Sequence, residues 1–427
     1  MKSKITERLV AYSFDNVVAV LDRYSLELSY FDSSDWDTLQ EEMISRPQPE
    51  FKPKIPQSSL STIQAAVTTE CNCRCSYCQL YGNPLIEKGA YMDRNVADSI
   101  LSRLHELGQD ALLIVTGGEP LLNWEVTRHL LTEAECLKVL FTNGTLITEE
   151  IAVMLRETST CVIVSLDGRH HEHNAARRYC LGGGDTYLDV EKGISIAKNA
   201  ECRIGLSLVA GHHNVYELSN IFAELVTRFA PESFGFNLQH YASGSDKKFP
   251  VRAYADELSK IFSLAKTAGV YVDQVARRLK PLVTRSFKYH DCSACGSKLV
   301  VYPSGKTSNC INYIAYSNGN DSNIWQERTP VTISGCKDCE AIGICGGGCP
   351  YDGLSYNNAG SVDRRNCIVT KKLLKAFVQD IYRSRNEFGR YQDISDIYSE
   401  MLTRGGISIS IGHEIPKDKA NKGSAWK

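Results

Sequence analysis

The sequence predicts an α/β protein built on a parallel sheet, with a small N-terminal unit before it and a cysteine-rich region after it. Three observations predict this. Short apolar runs alternate with amphipathic stretches from residue 61 to about 275. The runs are apolar throughout, as strands covered by helices on both faces are. After residue 290 the chain turns rich in Cys and Gly and poor in long periodic segments.

Taken in order, residues 1–45 form a small unit in which Leu9 to Leu21 has strand character, Leu26 to Tyr30 can pair with it, and a helical pattern runs from Asp35 to Met43. Residues 46–60, RPQPEFKPKIPQSSL, carry four prolines and read as a linker. The main unit, 61–289, has apolar runs at Ile63–Val67, Ala111–Val115, Lys138–Phe141, Val162–Leu166, Arg203–Val209 and Ser233–Leu238, with helical patterns such as Val96–Leu107 and Glu149–Leu155 between them. Six such units suit a partial barrel as well as an open sheet, and periodicity does not separate the two. Residues 290–385 have the composition of a domain organised by metal and end in a helical pattern at Lys371–Arg383. Residues 386–427 are expected to form a C-terminal helix and a flexible tail.

The chain has 427 residues, enough for two or three domains. Its 48 basic and 50 acidic side chains leave a formal net charge of −2, which argues against a generic nucleic-acid binder. There is no apolar run long enough for a membrane span and no secretory signal at the N-terminus, so a cytoplasmic protein is expected. Sixteen cysteines in such a compartment point to metal ligation or catalysis rather than disulfides. Cys136, Cys161, Cys180 and Cys202 lie in ordinary apolar segments and read as small core residues, and Cys73 reads as a bystander. The remaining eleven fall into two groups.

The first group is Cys71-x3-Cys75-x2-Cys78, at the end of the first main strand. Three thiolates at this spacing can hold a cubane iron–sulfur cluster and leave one iron open. With the aromatic Tyr77 before the last cysteine, the motif resembles the signature of the radical S-adenosylmethionine (SAM) superfamily. The resemblance continues in Gly117-Gly118-Glu119-Pro120 after the second strand, Thr142-Asn143-Gly144 after the third, and Ser165-Leu166-Asp167-Gly168 after the fourth, with His173 and Arg177 beyond. It implies a partial (βα)6 TIM-type barrel, a [4Fe–4S] cluster on the three cysteines and reductive cleavage of SAM to a 5′-deoxyadenosyl radical that abstracts a substrate hydrogen. By the same resemblance the Gly117–Pro120 loop meets the amino group of SAM, with Glu119 suited to a cationic partner. Ser165 and Asp167 would meet its ribose or methionine part, and Arg177, with Arg178 as competitor, its carboxylate. Tyr77 and Asn143 complete the expected cofactor-binding set.

The second group is Cys295-x9-Gly305-x4-Cys310, then Cys336-x2-Cys339-x5-Cys345-x3-Cys349, then Cys367, with Cys292 just upstream. It resembles the SPASM domain, the auxiliary-cluster domain of peptide-modifying radical SAM enzymes. The resemblance implies two further [4Fe–4S] clusters, one on Cys292, Cys295, Cys310 and Cys349, the other on Cys336, Cys339, Cys345 and Cys367. If Cys292 is not a ligand, the first of these keeps an open iron. Gly346-Gly347-Gly348 would let the backbone pass close to a cluster.

These resemblances imply an oxidoreductase that matures a ribosomally made peptide by a carbon–carbon, ether or thioether crosslink, of cyclophane, darobactin or sactipeptide type, with coupling through aromatic rings favoured. Its partners would be a precursor peptide with a leader, held by the N-terminal unit through strand addition, and an electron donor such as flavodoxin or ferredoxin. Peptide epimerisation is one alternative. A second is an anaerobic sulfatase-maturing enzyme, but such enzymes carry an Asp after the cysteine matching Cys310, where this chain has Ile311 and then Asn312. A third, an iron–sulfur electron carrier, leaves the Gly117 and Asp167 loops without a purpose. His240, Tyr241, Tyr302 and Asn312 are candidate pocket residues, and no catalytic base is identified.

Overall fold

The computed structural model describes residues 2–47, 49–84, 86–240, 249–313, 325–357, 362–387 and 394–403. The N-terminal unit is a four-stranded antiparallel sheet, β1 (Lys2–Lys4), β2 (Leu9–Phe14), β3 (Val17–Asp22) and β4 (Leu28–Asp32), in that spatial order, followed by a helix at Trp36–Ser45. The apolar run from Leu9 to Leu21 divides into two strands because Asp15 adopts a φ of 50°, a left-handed conformation that Asp tolerates in tight turns. The unit is not separate from the rest. Phe14 and Tyr30 pack on Tyr382 at ring distances of 5.7 and 5.1 Å, and the Tyr30 hydroxyl donates to Val378 O at 2.9 Å. Both partners lie on the long helix Arg364–Glu387. Residues 49–61, on the proline-rich segment, contain no helix or strand.

The main sheet begins with β5 (Thr62–Ala66), β6 (Leu112–Thr116), β7 (Leu137–Thr142), β8 (Cys161–Ser165), β9 (Ile204–Ala210) and β10 (Ser233–Leu238), each parallel to and beside the next. A short β11 (Tyr271–Val272) extends the β10 edge. Between the strands run helices whose ends are set locally. Asp93 caps Arg94–Leu107 through the N–H of Val96, and Ala97, Ile100 and Leu104 make its buried stripe. Thr148 caps Glu149–Glu157 in the same way through Ile151.

The cysteine-rich region joins this sheet rather than standing apart from it. β12 (Lys298–Val301) pairs in parallel with β5, and β13 (Thr307–Ser308) folds back on β12. A Leu-Val-Val run beside the open edge of β5 gains a full ladder of backbone hydrogen bonds there. One hydrophobic core includes Val10 and Tyr12 of the N-terminal sheet, Leu113 and Val164 of the main sheet, and Leu373 and Phe377 of the long helix. Among the described residues no helix is long and apolar enough to cross a membrane.

Candidate active site

The loops that follow β5, β6, β7, β8 and β10 all leave the carboxyl edge of the parallel strands, where such sheets place their sites. After β5 comes the loop of Cys71, Cys75 and Cys78. Behind it the Gly117-Gly118 turn lies flat on the backbone of Thr68–Glu70, with Gly118 N donating to Thr68 O and Glu119 N to Glu70 O, each at 2.8 Å. A Cβ on Gly117 would come within 2.3 Å of Thr68 O, and one on Gly118 within 2.1 Å of Glu70 O. Only glycine permits this approach. The two glycines thus brace the segment that enters the cysteine loop.

Glu119 has a different surrounding from a ligand contact. Its side chain is wholly buried and accepts from Leu121 N at 3.1 Å, Thr142 Oγ1 at 2.7 Å and Asn143 N at 2.7 Å. Burial raises its pKa to about 7 against these hydrogen bonds. The carboxyl group therefore ties the β6 loop to the β7 loop from beneath, and no face of it is open to a cationic ligand. Asn143, which it orients, reaches back into the cysteine loop. Its Nδ2 is 2.7 Å from Asn72 Oδ1, 3.6 Å from Cys73 Sγ and 3.9 Å from Cys71 Sγ.

Asp167 and Arg177 form a bidentate pair with N–O distances of 2.9 and 3.2 Å. The Asp167 carboxylate also accepts from the Tyr77 hydroxyl and from Val209 N at 3.0 Å. Burial alone would raise its pKa, yet the guanidinium beside it, with His173 and Tyr77, holds it below the ordinary carboxylate value. Arg177 then lies over the Tyr77 ring at 5.4 Å and places Nη1 3.8 Å from Cys75 Sγ. Arg178 is exposed and donates to Asn174 O, so Arg177 is the arginine that enters the site. Ser165 stands half-buried at the end of β8, in register with Ser207.

The three thiols have the surroundings of cluster ligands. Cys71 Sγ accepts from Cys73 N and Cys78 Sγ from Tyr81 N, each at 3.4 Å. Hydrogen bonding from the Cys73 thiol holds the Cys71 pKa down, whereas burial pushes Cys75 up to about 12. Soft donors on one loop, with N–H groups and a guanidinium aimed at their sulfurs, fit an anionic iron–sulfur cluster. Cys73 is buried and pairs its backbone with Tyr179.

The C-terminal cysteines come together as two groups of four. Burial raises Cys349 well above the usual thiol value, with Asp352, Cys292 and Cys310 adding to it. Burial raises Cys295 likewise, with Cys292 next, and Cys310 to about 11, with Cys292 again contributing. In the other group Cys336 is pushed up to about 12 by burial and then by Cys345, Cys339 and Cys367. Cys367 rises to about 12 by burial and then by Cys345 and Cys339. These four line a cavity of about 270 Å³. Asn366 Nδ2 donates to Cys345 Sγ at 3.3 Å and is itself held by Arg278. Gly346, Gly347 and Gly348 have φ values of 69°, 82° and 71°. Their close approach is to protein: a Cβ on Gly346 would meet the Asp291 backbone at 2.5 Å.

Between the Cys71–Cys78 loop and Cys349 stand two of the pocket residues expected from sequence, His240 and Asn312, hydrogen-bonded at 3.1 Å. Tyr302 supports them from behind, its hydroxyl donating to Ile311 O at 2.9 Å. Tyr241 lies outside the described residues. Sequence reasoning missed Asp352, whose carboxylate meets His240 Nδ1 at 3.0 Å, and Tyr351, whose ring packs edge-on against that of His240 with centroids 5.5 Å apart. Their place directly after Cys349 was the available signal.

The parallel sheet and the loops at its carboxyl edge have the arrangement expected from the radical SAM resemblance. Residues 66–223 match the model of the Radical SAM superfamily. It is 24% identical over 365 residues to the radical SAM cyclopropyl synthase TigE of Paramaledivibacter caminithermalis, covering 77% of this chain and 75% of that one. Among solved structures it resembles anSMEcpe with bound AdoMet and Cp18Cys peptide, with a TM-score of 0.64 at 21% identity over 77% of this chain and 99% of that one. It also resembles SuiB of Streptococcus suis bound to its precursor peptide SuiA, with a TM-score of 0.56 at 13% identity over 86% of this chain and 100% of that one.

Proposed function

We propose that the chain is a peptide maturase that removes hydrogen from a ribosomally made precursor and leaves a crosslink in it. The observation that carries this reading is the pair of four-thiol groups, the first of which is linked to the SAM-type cysteine loop through Tyr351 and Gln79. In this reading the six consecutive parallel strands form a partial (βα)6 barrel. Cys71, Cys75 and Cys78 hold one [4Fe–4S] cluster. Cys292, Cys295, Cys310 and Cys349 hold a second, and Cys336, Cys339, Cys345 and Cys367 a third. Such clusters make up for the sparse apolar packing of the C-terminal region by tying distant segments together. When bound, the first cluster and SAM supply a 5′-deoxyadenosyl radical that abstracts hydrogen.

The chain's own residues provide orientation and shelter. Gly117, Gly118 and Pro120 form the floor of the SAM site, with Glu119 fastening it from below. Asn143 and Arg177 direct N–H groups at the sulfurs of Cys71 and Cys75, and Asp167 fixes Tyr77 and Arg177 in place. Ser165 completes the ribose side. The N-terminal sheet offers strand edges to a leader peptide, and a flavodoxin or ferredoxin of the cytoplasm supplies the electron. SuiB and anSMEcpe were solved with peptides, which supports a peptide substrate, and TigE is named a cyclopropyl synthase, which supports the formation of a new bond. Ile311 and Asn312 offer no carboxylate after Cys310, which weighs against formylglycine formation.

The test is anaerobic reconstitution with iron counting, followed by SAM, reductant and the small peptide encoded beside the gene. The expected result is 5′-deoxyadenosine together with a peptide lighter by two hydrogen atoms. An unchanged mass with deuterium uptake from solvent would replace crosslinking by epimerisation, and the absence of both overturns the peptide reading.

A further inference from the structure

His240 follows β10 and stands where the two halves of the chain meet. Its Nδ1 is 3.0 Å from both oxygens of Asp352. A carboxylate has no proton to give, so Nδ1 carries the hydrogen, and the Asn312 Nδ2 donor facing Nε2 assigns that nitrogen the lone pair. Asp352 is buried and is held in turn by Arg365 at 3.5 Å, whose guanidinium is also fixed by Asp363 at 3.1 Å. The tautomer of His240 is thereby set from behind, by groups that do not move with a ligand.

The lone pair faces the Asn312 amide, whose Nδ2 lies at 3.1 Å. Tyr351 links this group to the radical-generating loop, its hydroxyl donating to Gln79 Oε1 at 3.1 Å, directly after Cys78. On the other side Cys349 Sγ lies within 4.8 Å of the His240 and Asp352 ligand atoms. The imidazole is 30% exposed, whereas Asp352 is 5% exposed, so of the two groups the imidazole is the accessible one.

We infer that the exposed side of His240 is the subsite for the substrate residue that is modified, and that His240 Nε2 accepts a hydrogen bond from an N–H or O–H of that side chain. The inference rests on the peptide reading above and deepens it. The substrate donor takes the place of the Asn312 amide, so the interaction exchanges one hydrogen bond for another and costs little. A side chain that displaces this amide without bringing a donor leaves the oriented lone pair unmatched, and sites built in this way discriminate strongly against such analogues. The substrate residue is therefore one that carries a side-chain N–H or O–H, tyrosine, tryptophan, serine and threonine among them, rather than an aliphatic one.

The test is a double-mutant cycle in the reconstituted full-length enzyme. His240→Phe keeps a ring packed against Tyr351 and removes the lone pair. The probe is the peptide encoded beside the gene, and copies of it in which tyrosine becomes phenylalanine, serine alanine or threonine valine, one position at a time. With the unaltered enzyme, one replacement should lower kcat/KM at least tenfold. With His240→Phe the same replacement should change it less than threefold, while iron content and thermal midpoint stay as before. Equal losses in both enzymes would overturn the subsite. A fall in iron content by one cluster's share would also overturn it, by making His240 a metal ligand. Failure of the unaltered enzyme to modify the parent peptide is a separate result and removes the peptide reading on which the subsite stands.

Discussion

Asp167 ties several loops together through a single carboxylate. It accepts hydrogen bonds from Arg177, Tyr77 and Val209, while its own carbonyl accepts from Asn214 at 2.8 Å. Its pKa is depressed in the folded state, Arg177 and its neighbours outweighing burial. A depressed carboxylate stabilises the fold above its unfolded value of about 3.9, and that contribution is lost as pH falls through the folded value. Asp167→Asn leaves Arg177 buried without its counter-charge and is expected to cost about 3–5 kcal/mol at neutral pH. The variant should also lose less stability than the parent below about pH 4. Anaerobic urea unfolding between pH 3 and 7 measures both effects. Spacing in the sequence left Arg177 and Arg178 as competitors; the helix ending at Ala176 turns one inward and the other to solvent. Glu119 had a visible motif and an invisible environment. A carboxylate after a strand reads as a ligand contact until packing shows that Thr142 and Asn143 enclose it.

At the scale of elements the strands were legible because residues apolar on both faces mark them directly, and their observed bounds shift by only a residue or two. The Gly117-Gly118 turn was legible as a motif, but its reason is tertiary. The two glycines pass across the Thr68–Glu70 backbone, which no local pattern reveals. Gly118→Ala is expected to overpack this crossing by about 1–3 kcal/mol and to displace the segment leading to Cys71. Iron retained at the Cys71 loop should fall, and anaerobic SAM cleavage with it. Full iron content together with full cleavage would show that the close approach is not needed. β12 was missed for a related reason. Four residues in a cysteine-rich stretch carry no periodicity, and only the open edge of β5 makes them a strand.

Across the whole molecule the N-terminal sheet, the main sheet and the long C-terminal helix share one core. Arg23 of the first unit is buried and donates to Lys337 O and Cys339 O at 3.1 Å, beside the second four-thiol group. Removing residues 1–45, the obvious test of leader binding, therefore also uncovers Tyr382 and the Cys339 loop. Affinity and thermal midpoint need to be read together in that experiment. Cys336→Ser is expected to lower bound iron by one cluster's share and to make the segment near Cys336 and Cys367 more sensitive to protease, since metal ligation carries the folding of such regions. Unchanged iron would remove Cys336 from the ligand set.

The cysteine spacings, the order of strands and the loops after them were determined by the sequence, because covalent spacing and hydrophobic periodicity are local and survive in one dimension. The tertiary structure alone decided which arginine enters the site, what Glu119 holds, where β12 lies, and that His240, Asn312 and Asp352 meet. These are contacts between residues tens to more than a hundred positions apart, and their partners are selected by packing rather than by spacing.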